Sequence, residues 1–292
     1  MDNKETVCQK GEIMDNLILM TAHHKKDDFI PISMKYFFPI HVGKSISDTD
    51  LEIHGDDDGD NISGKNKNFC ELTAYYWAWK NSQADYIGLM HYRRIFTSQK
   101  YLIQQIVNNV KYTIKNILCC LNLYKFCLSI SNFRLVKKTI TNDEAKALYN
   151  ELKLLVENDK FDIILPKKVK FRFQSLKDNF ILHHNYDDWY LFKKITITKY
   201  PFLNEAFNET ESINEFYAFN MFIMKRKIYN EYMEMMFDIL FTMEKEIDFK
   251  HKNDYQKRLF GFLSERLLNI YLIYKKKNEE LKIKELNVIF SN

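Results

Sequence analysis

Apolar positions in this chain form short continuous runs at first and stripes at helical spacing later. The run NLILMTAHH (16–24) places four apolar residues before small and polar ones, which predicts a buried strand reaching its carboxyl end. YFFPIHVG (36–43) predicts a second short strand, and SDTDLEIHGDDDGDNISGKNK, rich in Asp, Gly and Asn, predicts an irregular loop. NFCELTAYYWAWKN (68–81) reads as a helix: Phe69, Leu72, Tyr76 and Trp79 share one stripe, and Asn68 with Glu71 suits a capping box. Tyr86–Met90 reads as another buried strand. Strand, helix and strand within 96 residues predict an α/β sheet with parallel neighbours.

Further along, NDEAKALYNELKLLVEN (142–158) predicts a surface helix that buries Ala145, Leu148, Leu152 and Leu155. FDIILPKK (161–168) predicts a strand closed by Pro166, and FYAFNMFIMKR (216–226) another. DDWYLFKKITITKYP predicts a short helix with Asp187 or Asp188 at its amino end, and two long helices are expected near 227–247 and 254–276. Residues 1–14 are expected to be a disordered leader and 15–292 a single domain. Residues 99–140 predict a basic, amphipathic helical insertion in it.

Charge changes this picture in one place. No Asp or Glu occurs from Tyr86 to Asn142, while Arg93, Arg94, Lys100, Lys111, Lys115, Lys125, Arg134, Lys137 and Lys138 do. The whole chain carries only +4, so the remainder is net acidic. A block this one-sided implies an anionic partner such as phosphate, a lipid surface or nucleic acid. No apolar run approaches the roughly 20 residues of a membrane span, and the polar start MDNKETVCQKGE is not a signal peptide. Five cysteines, odd in number and without paired metal-ligand spacing, fit a reducing cytoplasm.

The chemistry-bearing residues gather at the predicted strand ends, where open α/β sheets bind ligands. The first strand ends in Thr21, His23, His24 and Lys25. The 86–90 strand ends in His91, Tyr92, Arg93 and Arg94, and alternation places His91 and Arg93 on one face and Tyr92 and Arg94 on the other. Imidazoles and guanidiniums offered to one crevice suit a diphosphate, unless they are solvated strand ends. Asp58 and Asp60 are weak metal candidates, since the loop begins like a calcium loop yet lacks its closing Glu. Asn61, Ser63 and Asn66 suit ribose or sugar hydroxyls, or shape the loop. In HHNYDDWY, His184, Asp187, Asp188 and Trp189 offer either a sugar site with a general base or a capped helix with a core tryptophan. In the last helix Arg258, Phe262, Glu265 and Asn269 share a face, where Glu and Arg are expected to form an internal ion pair.

The block DGDNISGKNKNFCELTAYYWAWKNSQADYIGLMHYRRIF resembles a family of bacterial glycosyltransferases from capsule, O-antigen and exopolysaccharide gene clusters, once known only as a domain of unknown function. TAHHK with PIHVGK, FDIILPKK, AFNMFIMKRKIYNEY and RLFGFLSERLLNIYL extend the resemblance over about 15–290, with the basic 99–140 stretch expanded. The resemblance implies a GT-A-like, Rossmann-type nucleotide-sugar domain with a mostly parallel sheet, a helical insertion and C-terminal helices. It further implies hexosyl transfer, as in relatives that use UDP-galactofuranose, to a lipid-linked or oligosaccharide acceptor, so a cytoplasmic enzyme peripheral at the inner face of the membrane. His91-Tyr92-Arg93 stands where such folds keep a metal-binding Asp-x-Asp. His91, Arg93, Arg94 and Lys25 are therefore expected to bind the diphosphate, with no required cofactor and with Mn or Mg as the alternative. Asp188, then Asp187, then Glu265 are the expected catalytic bases, and Thr21, His24, Asn61, Ser63, Asn66, His184, Trp189 and Asn220 the nucleotide or sugar contacts. The rival class is a nucleic-acid- or anionic-surface-binding protein that uses 86–142 without catalysis. The lack of a nucleic-acid motif counts against it.

Overall fold

The computed structural model describes residues 16–97, 136–137, 140–158, 161–171 and 173–290. The expected leader and nearly all of the 99–140 insertion lie outside them. In chain order the elements are β1 (Leu17–His23), α1 (Ile30–Tyr36), β2 (Phe38–His41), β3 (His54–Gly55), α2 (Asn66–Phe69), α3 (Leu72–Asn81), β4 (Tyr86–His91) and β5 (Arg94–Thr97). Then come β6 (Val136–Lys137), α4 (Asn142–Glu157), β7 (Ile163–Pro166), β8 (Val169–Lys170), α5 (Leu176–His183), α6 (Tyr186–Lys199), α7 (Asn204–Ser212) and β9 (Glu215–Phe216). The chain continues through β10 (Phe222–Lys225), α8 (Arg226–Glu244), α9 (Asp254–Lys257), α10 (Leu259–Asn278) and β11 (Ile283–Phe290).

The main sheet has the order β10-β7-β11-β5-β4-β1-β2-β3, with β6 beside β11, and β10 also pairs with β4. Its first part is parallel: β1 lies between β2 and β4, and β3 flanks β2. Beyond β4 the expected mostly parallel sheet is mixed: β11 runs parallel to β6 and β7, but the other pairings are antiparallel. β10 runs antiparallel to both β4 and β7, and β5 is antiparallel to β11. A buried apolar run such as Phe222–Met224 has the same pattern in either direction. Its direction is decided by the connection that precedes it.

Both faces of the sheet are covered, as continuous apolar runs require. On β1, Ile18, Met20 and Ala22 join the core that includes α3, α8 and α10, while Leu17 and Leu19 join Phe29, Phe37 and the buried stripe of α4 on the opposite face. That stripe is Ala145, Leu148, Leu152 and Leu155, with a Thr141–Glu144 capping box at the helix start. Three other local expectations are corrected. The 68–81 helix is broken at Cys70, whose φ is +53°, so Asn68 lies inside α2 and forms no capping box. The 216–226 strand is two short strands separated by left-handed Phe219 and Asn220. The helix at Asp187 and Asp188 is not short but runs to Lys199.

Close packing of β4 on β10 leaves no room at Gly88. A Cβ there would sit 2.7 Å from the Phe222 carbonyl oxygen and 2.6 Å from Cγ1 of Ile223. Gly88→Ala is expected to destabilise the fold by about 1–3 kcal/mol through overpacking. A lower urea midpoint in equilibrium unfolding checks this.

Candidate active site

The carboxyl ends of β1, β2 and β4 open onto a cavity of about 500 Å³. His24 enters it after β1, Val42 after β2, and His91, Tyr92, Arg93 and Arg94 from the end of β4. The opposite wall is the start of α10 with Arg258, Gly261, Phe262 and Glu265, and the α2–α3 break adds Cys70 and Glu71. β4 does not continue through the arginines. The chain turns at Tyr92–Arg93 and returns as β5, so His91 and Arg94 sit opposite each other in a hairpin. The predicted alternation of faces therefore fails beyond His91, yet the turn delivers all four side chains to one cavity.

Aromatic faces orient the guanidiniums. Arg93 lies 4.8 Å from the Tyr92 ring centre, Arg94 4.6 Å from that of Phe219, and Arg258 5.5 Å from that of Phe262. Such stacking fixes a cation while leaving its N–H donors for a ligand. His91 donates through Nε2 to the Phe219 carbonyl, 2.7 Å away. Burial pushes its pKa down, and Arg94 adds to this against the pull of Glu71, so His91 is a neutral imidazole.

Glu265 and Glu71 are the carboxylates of the cavity wall. Glu265 accepts from the Phe219 N–H at 2.9 Å and from Nη1 of Arg266 at 2.8 Å. Burial pushes its carboxyl pKa up, although Arg266 pulls it down. Glu71 accepts from Nδ2 of Asn220 at 2.7 Å. Asn220 is buried beneath the cavity and also donates to the Gly261 carbonyl. The Cys70 thiol is pushed up to about 12 by burial, so it is protonated beside Arg258.

A second cavity of about 260 Å³ adjoins the first and shares Arg94, Phe219, Phe262 and Glu265 with it. Buried nitrogens of Arg94, His184 and Arg266, all in its lining, have no hydrogen-bond partner among the described residues. Orphaned polar atoms cost about 1–3 kcal/mol each, so their gathering here marks a place not optimised for stability.

Of the site residues singled out in the sequence, His24, Asn66, His91, Tyr92, Arg93, Arg94, Arg258, Phe262 and Glu265 line the larger cavity, and Arg94, His184, Phe262 and Glu265 the smaller. The others line neither. Lys25 packs over the Tyr92 ring, and Thr21 is buried against Ser33 and His23. Asn61 bonds the backbone of its own loop, and Ser63 caps the buried Asp56 carboxylate. Asp58 accepts from the Trp77 indole and Asp60 from Tyr76. Among the described residues no three His, Cys, Asp or Glu side chains gather as metal ligands. Asp187 is exposed, and both oxygens of Asp188 are held by Lys252 at 2.9 and 2.6 Å. Trp189 is a core residue that donates to Glu211. The Glu–Arg pair of the last helix is Glu265–Arg266, not Glu265–Arg258.

Glu71 was hidden by its reading as a helix cap, and Arg258 by its reading as an ion-pair partner. The short polar-aromatic context CEL…QKRLFGF was the available signal.

The chain matches a known family. Residues 18–277 match the family described as "Domain of unknown function (DUF4422)", and the chain belongs to it. Among solved structures, the apo structure of WbbM, a bifunctional glycosyltransferase, superposes with a TM-score of 0.77 at 31% identity. The match covers 95% of this chain and 45% of that one, so the chain spans less than half of its length. Comparison with curated proteins gave no match. No helix among the described residues is long and apolar enough to cross a membrane.

Two outcomes are expected from this geometry. Asn220→Ala removes donors to Glu71 and the Gly261 carbonyl, which should cost about 1–3 kcal/mol, read as a lower denaturant midpoint. Burial, helped by Arg266, pushes the His184 pKa from 6.5 down to about 3. The unfolded chain then binds a proton that the folded chain refuses, so stability should fall as pH drops from about 6.5 towards 3. His184→Phe should flatten part of that slope in thermal unfolding across this range.

Proposed function

We propose that this protein is a glycosyltransferase with a GT-A-like nucleotide-sugar domain. It moves a hexosyl group from a nucleotide sugar to an acceptor hydroxyl of a bacterial surface polysaccharide. The observation that carries this reading is the larger cavity at the strand ends, lined by three aromatic-oriented arginines and two carboxylates. Family membership and the likeness to a bifunctional glycosyltransferase support it. UDP-galactofuranose as donor, transfer with inversion, and a lipid-linked oligosaccharide as acceptor are the finer form of the proposal, drawn from the sequence resemblance. So is peripheral contact of the basic 86–142 segment with an anionic membrane surface.

In this mechanism Arg93, Arg94 and Arg258 bind the donor diphosphate. They stabilise the charge that grows on it as the bond from the anomeric carbon to the diphosphate oxygen breaks. Neutral His91 holds the Phe219 carbonyl and so fixes the wall beneath. The acceptor oxygen attacks the anomeric carbon from the opposite side and passes its proton to Glu265. That carboxylate keeps lone pairs free beyond its bonds to Phe219 and Arg266. Its raised pKa brings it nearer the operating pH, which favours a general base. The base role moves from Asp188 to Glu265 because Lys252 ties up both Asp188 oxygens. Side-chain cations rather than a divalent ion carry the diphosphate charge in this proposal.

Incubation with a panel of nucleotide sugars and a lipid-linked oligosaccharide acceptor, read by mass spectrometry, tests the reading. Arg94→Ala is expected to lower kcat by about 10²–10³-fold, the scale of a lost transition-state charge contact. Glu265→Gln should bind nucleoside diphosphate as the wild type does and transfer no sugar. Activity should survive EDTA; complete loss restored by manganese would overturn the metal-free assignment. Binding of no nucleoside diphosphate by the wild type would overturn the function itself.

A further inference from the structure

The smaller cavity differs in chemistry from the larger one that it adjoins. Arg94 is shared, but the other guanidinium in its wall, that of Arg266, is already engaged by Glu265, Asn179 and the Phe262 carbonyl. His184 is neutral, because burial and Arg266 oppose its protonation. Beyond the shared Arg94, the paired Arg266 and neutral His184 therefore bring no uncompensated charge to draw a second anion.

Its wall is instead a rank of rings beside two carboxamides. His184 stacks on Phe180 with centres 4.7 Å apart and on Tyr255 at 5.3 Å, 15° from parallel. Phe262 leans against both His184 and Tyr255, at 4.6 and 5.0 Å. Tyr255 ends this rank and is 45% exposed. Gln174 and Asn179 supply the amides. A pyranose or furanose presents C–H faces to rings and hydroxyls to amides. The Asn179 amide, bonded to Gln174 and Arg266, has a second N–H that a sugar hydroxyl can accept from and an alkyl chain cannot. At about 260 Å³ the cavity also lies below the roughly 300–1,000 Å³ of drug-sized ligand sites, which suits a single ring. Glu265 lies where the two cavities meet.

We infer that the smaller cavity is the acceptor subsite. It takes one uncharged sugar ring of the acceptor glycan on Tyr255 and Phe262 and presents a hydroxyl of that ring to Glu265. This rests on the glycosyl-transfer reading above and assigns the acceptor its class and place.

The test uses saturation-transfer NMR on the full chain with a panel of neutral methyl hexosides, alongside titration with nucleoside diphosphates. Wild type should bind at least one methyl hexoside. Tyr255→Ala should weaken that binding about tenfold, the scale of one aromatic contact, and Tyr255→Trp should restore it, while nucleoside diphosphate affinity stays at the wild-type value in both. Failure of every neutral hexoside to bind, or equal binding by wild type and Tyr255→Ala, overturns the subsite. Preferential binding of hexose phosphates or hexuronides there overturns the uncharged-sugar assignment. If hexosides bind through Tyr255 but no nucleoside diphosphate binds, the subsite stands and the transferase reading fails.

Discussion

Two consecutive left-handed residues, Phe219 (φ +76°) and Asn220 (φ +50°), hold the site together. A bulky aromatic in this region is unfavourable by roughly 1–3 kcal/mol, and the surroundings over-determine it. The Phe219 N–H is taken by Glu265 and its carbonyl by His91. The Asn220 side chain joins Glu71, Gly261 and Ser264, and its carbonyl accepts from the buried Tyr75 hydroxyl. One turn thus ties β4, α3 and α10 together and delivers β10 antiparallel between β4 and β7. The same bonds that stabilise the turn aim the site carboxylates.

Electrostatics divide the site into two environments that share a wall. At the strand ends and the start of α10, arginines are oriented by ring faces, which leaves N–H groups for an anion. On the α5–α10 side, Arg266 is consumed internally and His184 is kept neutral, so the surface is aromatic and amide in character. Burial pushes the Glu265 carboxyl pKa up and the His91 imidazole pKa down. Both shifts move these groups towards uncharged forms, as low-dielectric surroundings require.

Much of the frame was legible one element at a time. β1, β2, β4, β7, α4, α8 and the 254–278 helices follow from apolar runs and stripes, because burial against a sheet imposes period-two or helical spacing on a segment by itself. The cluster His91–Arg94 was legible as a group of cations gathered at one strand end, and in the fold these residues line one cavity. Glu71 was not. Its side chain would satisfy a capping box in the sequence, but the Cys70 kink turns it towards Asn220, more than 100 residues away in the chain. Asp188 is the reverse case. Its neighbours in sequence resemble a sugar site, while in space Lys252 neutralises it.

The sequence by itself determined β1, β2, β4, β7, α4, α8 and the 254–278 helices, where the cationic strand end lies, and which family's pattern the chain resembles. These depend on residues within a few turns of one another. Only the tertiary structure decided the direction of β10, the hairpin that pairs His91 with Arg94, the partners of Glu71, Glu265 and Asp188, and the existence of two joined cavities. The polar partners depend on which distant groups compete for a buried one, and the direction of β10 on the connection before it. Hydrophobic periodicity carries no record of that competition.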